Sequence, residues 1–415
     1  MCSIFGAVGP TIDTTVLDAI RAAAKDRGRD GGRVETYRLL DGRRVALGNW
    51  RATPTTEAAR TDLQPYAGVV HNGTIANDRE LGNPPGEVDS KILPVVIDAE
   101  GGRAGPAALA HALRRVKGSF ALAVVTDTTV LLAANYKPIH FLALGETVYF
   151  ASMERHLAPH APFGCRPAQV APYSVLDLTT GESVPLPRQE NRRALVIASS
   201  GLDSTTVAYA LRAEGWHVDL LHFLYGCRAE TKEAERVKKI AAHLQCEAVF
   251  MPLDYSQSAG NSPLLTDGQI APGVTGAEYA HEWVPARNLL MIAKAVAYAE
   301  ANGYGAVALG NNLEEGGAYP DNEEQFTTLL NAALPYAVQE GSKVELLAPV
   351  GMLMKHEIVA LGARLGVPYE LTWSCYRGGE HHCGACGPCF MRREAFRRNG
   401  LVDPVFEEAR ADARA

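Results

Sequence analysis

From Ala194 onward the chain alternates short apolar runs with longer amphipathic ones, and this alternation limits the possible folds more than any other feature. Ala194–Ala198, Val218–Phe223, Glu247–Pro252 and Ala306–Leu309 read as strands, and Thr205–Glu214, Glu230–Leu244 and Arg287–Ala301 as helices. Strand and helix in turn at this spacing predict an α/β doubly wound parallel sheet. The residues before it have another texture. Short β-rich runs recur at Arg44–Leu47, Val69–Val70, Phe120–Val125, Val130–Ala133 and Val148–Ala151, with clear helical patterns at Val16–Ala24 and Ala107–Val116. That pattern predicts an α+β domain with antiparallel sheets. The join falls near the polar, proline-bearing Pro185–Asn191. We therefore expect one domain over 1–185, a linker over 186–193 and a second domain over 194–415. The length of 415 residues suits two or three domains at roughly 100–200 residues each. The tail Glu407–Ala415 reads as frayed or helical.

Charge and cysteine content narrow the function. Hydrophobic residues make up 47% and charged ones 21%, which is ordinary for a soluble protein. No apolar run approaches the roughly 20 residues of a membrane span, and no basic segment precedes an apolar stretch at the N-terminus. A cytoplasmic protein without a membrane partner is expected. Of 40 basic and 47 acidic residues, 20 and 20 fall in 1–190, leaving 20 against 27 in the rest. A polyanion binder usually shows a basic stripe, and the one dense basic run here is Arg392-Arg393…Arg397-Arg398. Four of the eight cysteines crowd into Cys375-x7-Cys383-x2-Cys386-x2-Cys389. In a reducing compartment this spacing favours zinc over cystines. Four thiolates give a closed tetrahedral site, structural by default, so His381 and His382 in the same loop read as bystanders. Cys165, Cys227 and Cys246 have no partner pattern.

Cys2 gains weight from its position. Once Met1 is removed, it carries both a thiol and an α-amine of pKa about 7.7–8.0, which can act as the thiol's own base. Trp50-Arg51-Ala52-Thr53 offers a guanidinium for a carboxylate. His71-Asn72-Gly73 at a strand end offers an amide side chain and a backbone N–H, the makings of an oxyanion hole. Asp89 could hold an ammonium. At these residues, and at Arg27-Gly28-Arg29-Asp30, the first half resembles the class II glutamine amidotransferase domain, an N-terminal nucleophile hydrolase-type sandwich. The resemblance implies that Cys2 attacks the glutamine amide, that Asn72 and Gly73 hold the oxyanion, and that Arg51 and Asp89 bind the amino-acid end. Ser3 stands where Gly is common, and Lys91 where a Glu often follows the aspartate. A domain kept only as a docking surface is the alternative.

Ser199-Ser200-Gly201-Leu202-Asp203-Ser204 follows a buried strand and opens a helix, where N–H groups and the helix dipole make an anion site. No Gly-Lys-Ser/Thr closes it, so it is not a Walker loop. It resembles the S-G-G-x-D-S pyrophosphate loop of ATP-pyrophosphatases, with Ser200 replacing the first Gly, a change tolerated if its φ is negative. With Thr205 this segment would bind ATP, and Asp203 and Glu230 could hold Mg²⁺. Glu230, Glu233 and Glu235 read equally well as a solvated face. Tyr225-Gly226-Cys227-Arg228-Ala229-Glu230, Val284-Pro285-Ala286-Arg287-Asn288, Tyr319-Pro320-Asp321, Pro349, Lys355-His356-Glu357-Ile358, Thr372–Tyr376 and Asp403-Pro404 follow in order. They resemble the 7-cyano-7-deazaguanine synthase (QueC) family over nearly all of 194–404, with Cys227 where Gln is common. The resemblance implies ATP-dependent adenylation of 7-carboxy-7-deazaguanine, ammonia supplied from glutamine by the first half, and an amide or nitrile product. It also places Arg287 and Asn288 on the nucleotide or base, Tyr319 and Asp321 by the deazaguanine and Lys355 on phosphate. A homodimer is implied at family level. Related outcomes are amidination of a nitrile in tRNA, as in archaeal amidotransferase–QueC fusions, and transfer of the acyl group to a protein amine, as in QueC-like proteins of bacterial antiphage (CBASS) operons. A non-catalytic nucleotide-sensing module is the remaining class.

Overall fold

Two antiparallel sheets build the first half. The structure, a computed structural model, describes all residues except 1, 29, 53–61, 188–190, 256–259, 279–280, 340–341 and 407–415. Arg29, Thr53, the middle of the expected linker and the expected tail thus lie outside the described residues. The chain divides into two compact units, Met1–Arg188 and Gln189–Ala415. Among the described residues no helix is long and apolar enough to cross a membrane.

In the first unit a six-stranded sheet runs in the spatial order Gly31–Arg38, Arg44–Arg51, Ser3–Gly9, Thr147–Ala151, His140–Leu144, Ala168–Gln169. A five-stranded sheet runs Ser183–Pro185, Ser174–Asp177, Val130–Ala134, Gly118–Val125, Val69–Ile75. Side chains alternate across each strand, so Ile4, Val8, Val45 and Leu47 meet Val70, Ala121, Ala123 and Leu132 between the sheets. Phe5 and Ala7 face the other way, onto Ile20 and Ala24 of helix Thr14–Ala24. Leu122, Val124, Leu131 and Ala133 of the second sheet pack outward on helices Ile92–Ala99 and Pro106–Leu113. The result is a four-layer helix–sheet–sheet–helix sandwich of the N-terminal nucleophile type. Ser3–Gly9 lies at its centre with every residue buried, so it lacks the polar alternation that marks a half-exposed strand. Helix Ile92–Ala99 carries Pro94 in its first turn, where a missing N–H costs nothing.

The second unit is a five-stranded parallel sheet in the spatial order Ala248–Pro252, His217–Leu224, Arg193–Ile197, Ala306–Ala308, Glu345–Leu347. Chain order across it is 3-2-1-4-5, as expected for a doubly wound sheet. Ala194, Val196, Val218 and Leu220 meet helices Leu202–Ala213, Glu230–Leu244 and Lys355–Leu365 on one face. Leu195, Leu221, Phe223 and Val307 meet Arg287–Ala301 and Glu324–Ala337 on the other. The winding reverses between the first and fourth strands, which in such sheets opens a ligand crevice at their carboxyl ends.

Candidate functional site

A cavity of about 220 Å³ occupies that crevice. Its floor comes from the ends of three strands: Ile197–Ser199, His222–Phe223 and Leu309–Asn311. Ser199, Gly201, Leu202, Asp203 and Ser204 form one side. Gly201 is extended (φ −68°, ψ 172°) and caps helix Leu202–Ala213, which begins three residues earlier than the apolar pattern predicts. Ser204 Oγ accepts from the Ser199 N–H (3.3 Å), which closes the loop on itself. One expectation fails here. Ser200 has φ +60°, not a negative value, and a non-glycine residue in that region bears about 1–2 kcal/mol of strain. Its hydroxyl donates to the Ser199 carbonyl (2.5 Å) and its own carbonyl accepts from the Trp373 N–H (2.9 Å), bonds that hold the turn. Ser200 and Thr205 are buried and do not line the cavity.

Lys355 closes the side of the cavity next to this loop. Its Nζ donates to Asp203 Oδ2 (2.7 Å) and Glu315 Oε1 (2.6 Å). Burial pushes the Asp203 carboxyl up to about 6, against the opposing pull of Lys355. Lys355 itself is raised by the two carboxylates, although burial opposes this. The ammonium expected on phosphate is thus engaged with carboxylates in this structure. Glu315 was not singled out in the sequence, nor was Gly310. A Cβ on Gly310 would come within 3.0 Å of the Ser204 nitrogen, so glycine is what lets the fourth strand approach the loop's helix.

The opposite wall holds Tyr225, Glu233, Arg287, Asn288, Asn322 and Tyr376. Arg287 Nη1 lies 3.4 Å from the Tyr225 hydroxyl. Tyr319 and Asp321 are not among the lining residues; Tyr319 stacks on Trp283 and the Asp321 carbonyl accepts from Asn311 Nδ2 (3.1 Å). Glu230, one of the two residues expected near Mg²⁺, is not among the lining residues; its carboxylate accepts from the Gly226 N–H (2.6 Å). Glu233, grouped with the solvated acids in the sequence, faces the cavity. Its spacing carried the signal, since Glu233, Val237, Ile240 and Leu244 fall on one helical stripe whose last three members are buried.

The cysteine knot supplies the third wall through Trp373, Ser374, Tyr376, Pro388 and Arg392. The Sγ atoms of Cys375, Cys383, Cys386 and Cys389 all lie within 4.8 Å of one another, near the ~3.8 Å edge of a tetrahedron with 2.3 Å Zn–S bonds. The Ala385 and Cys386 N–H groups donate to Cys383 Sγ (3.4 and 3.3 Å). Four clustered sulfurs, of which Cys375 and Cys383 receive N–H donors, fit a metal. His382 spends its Nε2 lone pair on the Ser374 N–H (3.0 Å), and the histidines are absent from the metal-type cluster found among the described residues. Arg392 corrects the reading of a basic run. It is fully buried, with Nε and Nη2 on the two oxygens of Asp403 (2.8 and 2.9 Å), and Arg397 and Arg398 pair with Glu394.

In the first unit, Ser3 pairs with Trp50 across the central strands, and Asn49 Nδ2 donates to the His71 carbonyl (3.3 Å). The start of the chain, Trp50-Arg51 and His71-Asn72-Gly73 therefore converge at one corner. Cys2 Sγ lies 3.7 Å from the Ala52 carbonyl. Asn72 is buried. Gly73 has φ +154°, and a Cβ there would strike the Ser119 carbonyl. Arg51 donates to the Asp62 carbonyl (2.9 Å). Asp89 accepts from the Ile75 N–H (2.7 Å) and the Ser90 N–H (2.8 Å), so much of its carboxylate serves the local backbone. Lys91 is paired with Asp62 and Glu87.

The chain as a whole is similar to known proteins. The family described as queuosine biosynthesis protein QueC matches residues 193–400. The 7-cyano-7-deazaguanine synthase of Saccharolobus solfataricus is 42% identical, with 94% of each chain covered. The chain belongs to the QueC family. The synthase of that name from Sulfolobus acidocaldarius is 44% identical over 90% of this chain and 86% of its own. The one from Haloarcula marismortui is 36% identical over 52% of this chain but 95% of its own length. QueC-family proteins thus occur both with and without a counterpart of the first unit. As a member, this chain is an ATP-dependent enzyme of the 7-deazaguanine pathway.

Proposed function

We propose that this QueC-family chain converts 7-carboxy-7-deazaguanine to its amide and then its nitrile, using ATP and ammonia released from glutamine at Cys2. The observation that carries the reading is the loop Ser199–Ser204, set at the reversal point of the sheet with a cavity beside it that Tyr225, Arg287 and Tyr376 help to line. Two catalytic domains, 1–185 and 194–415, divide the work. In the second, loop N–H groups and the Ser199 and Ser204 hydroxyls hold the leaving pyrophosphate, which stabilises charge as it develops. Asp203 would be the residue to hold Mg²⁺, which would supply positive charge to offset that of the phosphates. Arg287, Asn288 and Tyr376 flank the base, with Tyr319 and Asp321 buttressing that wall. In the first domain, Asn72 and Gly73 would hold the oxyanion and Arg51 and Asp89 the amino-acid end of glutamine. The Haloarcula relative is covered over 95% of its length by 52% of this chain, so the first domain would be an accessory to the synthetase, as ammonia supply would be.

Incubation with ATP, 7-carboxy-7-deazaguanine and amide-¹⁵N glutamine should yield ¹⁵N-labelled amide and nitrile. Cys2→Ala should abolish the label yet still make nitrile from ammonium salts. AMP formation without nitrogen uptake in the wild type would overturn the reading in favour of another acceptor of the acyl group, such as a protein amine. Arg392 is buried on Asp403, and Arg397 and Arg398 share Glu394, so the arginine run is not a free basic patch for tRNA. We further propose that the four cysteines hold one structural Zn²⁺, and native mass spectrometry should show a single zinc per chain. A metal-free folded chain would sink that assignment.

A further inference from the structure

Resting on the proposed amide-to-nitrile chemistry, we propose that Glu233 is the proton acceptor of the synthetase cavity. The balance of that chemistry requires one. When ammonia adds to the acyl-adenylate, the C–N bond forms, the C–O bond to AMP breaks and one N–H proton must leave. When the amide oxygen has been adenylated in turn, its C–O bond breaks, the C–N bond becomes triple, AMP departs and the two remaining N–H protons must leave. All three protons leave the same nitrogen, inside the cavity.

The lining residues leave one group suited to take them. Asp203 and Glu315 are both bonded to Lys355, on the phosphate side. His222 directs its Nδ1 proton to the Ala198 carbonyl (2.8 Å), and its Nε2 is shut away from solvent. The Tyr225 and Tyr376 phenols, of ordinary pKa about 10, provide no phenolate near neutral pH, and burial drives Tyr225 higher still. Glu233 stands across the cavity from the loop. The groups that face it are Arg287, Tyr225, Cys227 and Glu230. The Cys227 thiol, pushed up to about 12 chiefly by burial, is 4.0 Å from Glu233 Oε2 and stays neutral. Burial lifts Glu233 to about 7, with Arg287 restraining the rise. A carboxylate so poised both accepts and returns a proton near neutral pH.

Single-turnover reactions of the full chain with ATP, 7-carboxy-7-deazaguanine and ammonium chloride test this without the glutaminase. Glu233→Gln should still release pyrophosphate and accumulate acyl-adenylate, while amide and nitrile formation falls about 100-fold or more. Glu233→Asp should recover part of the loss. Undiminished nitrile formation in Glu233→Gln overturns the inference. So does a parallel loss of adenylate and nitrile in both variants, which would make Glu233 a binding or folding residue. A wild type that forms neither adenylate nor product overturns the proposed function, and this inference with it.

Discussion

Replacing Arg392 by Met is expected to destabilise the second unit by about 3–5 kcal/mol, the usual cost of removing one partner from a buried ion pair. Arg392 is 0% exposed. Besides its two bonds to Asp403, it donates to Thr372 Oγ1 (2.6 Å) and the Tyr369 carbonyl (3.0 Å). Methionine fills the space but leaves a buried carboxylate and two other acceptors without their donor. The loss should reach the cavity as well, since Trp373 of the same segment lines it and donates to the Ser200 carbonyl. Urea denaturation measures the first effect and ATP affinity the second. The double variant Arg392→Met, Asp403→Leu should regain much of the stability, because replacing both members of a buried pair with apolar groups is often neutral. A single-variant loss under about 1 kcal/mol would show that water reaches Asp403 and that the pair is not structural.

How far the sequence reveals this molecule depends on whether a feature is local. Helices Glu230–Leu244 and Arg287–Ala301 are legible to the residue because their apolar stripes are long and their ends distinct. The loop Ser199–Ser204 is legible because one short run supplies both the turn and the helix start. Strand Gly31–Arg38 is not, since it forms a sheet edge, half exposed, and its charges disguise it. Ser3–Gly9 fails for the opposite reason, being buried on both faces. Arg392 reads as part of a basic run and Asp403 as part of a chain ending; only the folded knot shows that they are one pair. Gly310 acts through what a Cβ would strike, and nothing in the neighbouring sequence encodes that contact. Glu233 is a different case. Its position on the buried stripe was visible, but adjacent acids suggested a solvated face.

Lys355→Met should produce the other large effect, and one that varies with pH. The ammonium separates nothing from solvent by itself; it reconciles two carboxylates, Asp203 and Glu315, that otherwise face each other in a cleft. Without it, a loss of about 3–5 kcal/mol is expected near neutral pH. The sign of the pH dependence follows from Asp203. Its folded pKa, about 6, already exceeds the ordinary carboxylate value of 3.8, so between those values the folded state binds more protons than the unfolded one. Stability from this group therefore falls as pH rises through that window, and its cost is fully present above the folded pKa. Removing Lys355 removes the attraction that holds Asp203 down, so the folded pKa climbs and the window extends upward. Urea midpoints should thus show a smaller penalty for Lys355→Met at about pH 6 than at about pH 8. Adding Asp203→Asn should flatten that difference, because the titrating group is then gone. Equal penalties at both pH values, or a pH dependence that survives Asp203→Asn, would mean that Glu315 or solvent carries the charge and that Asp203 is not the group Lys355 restrains.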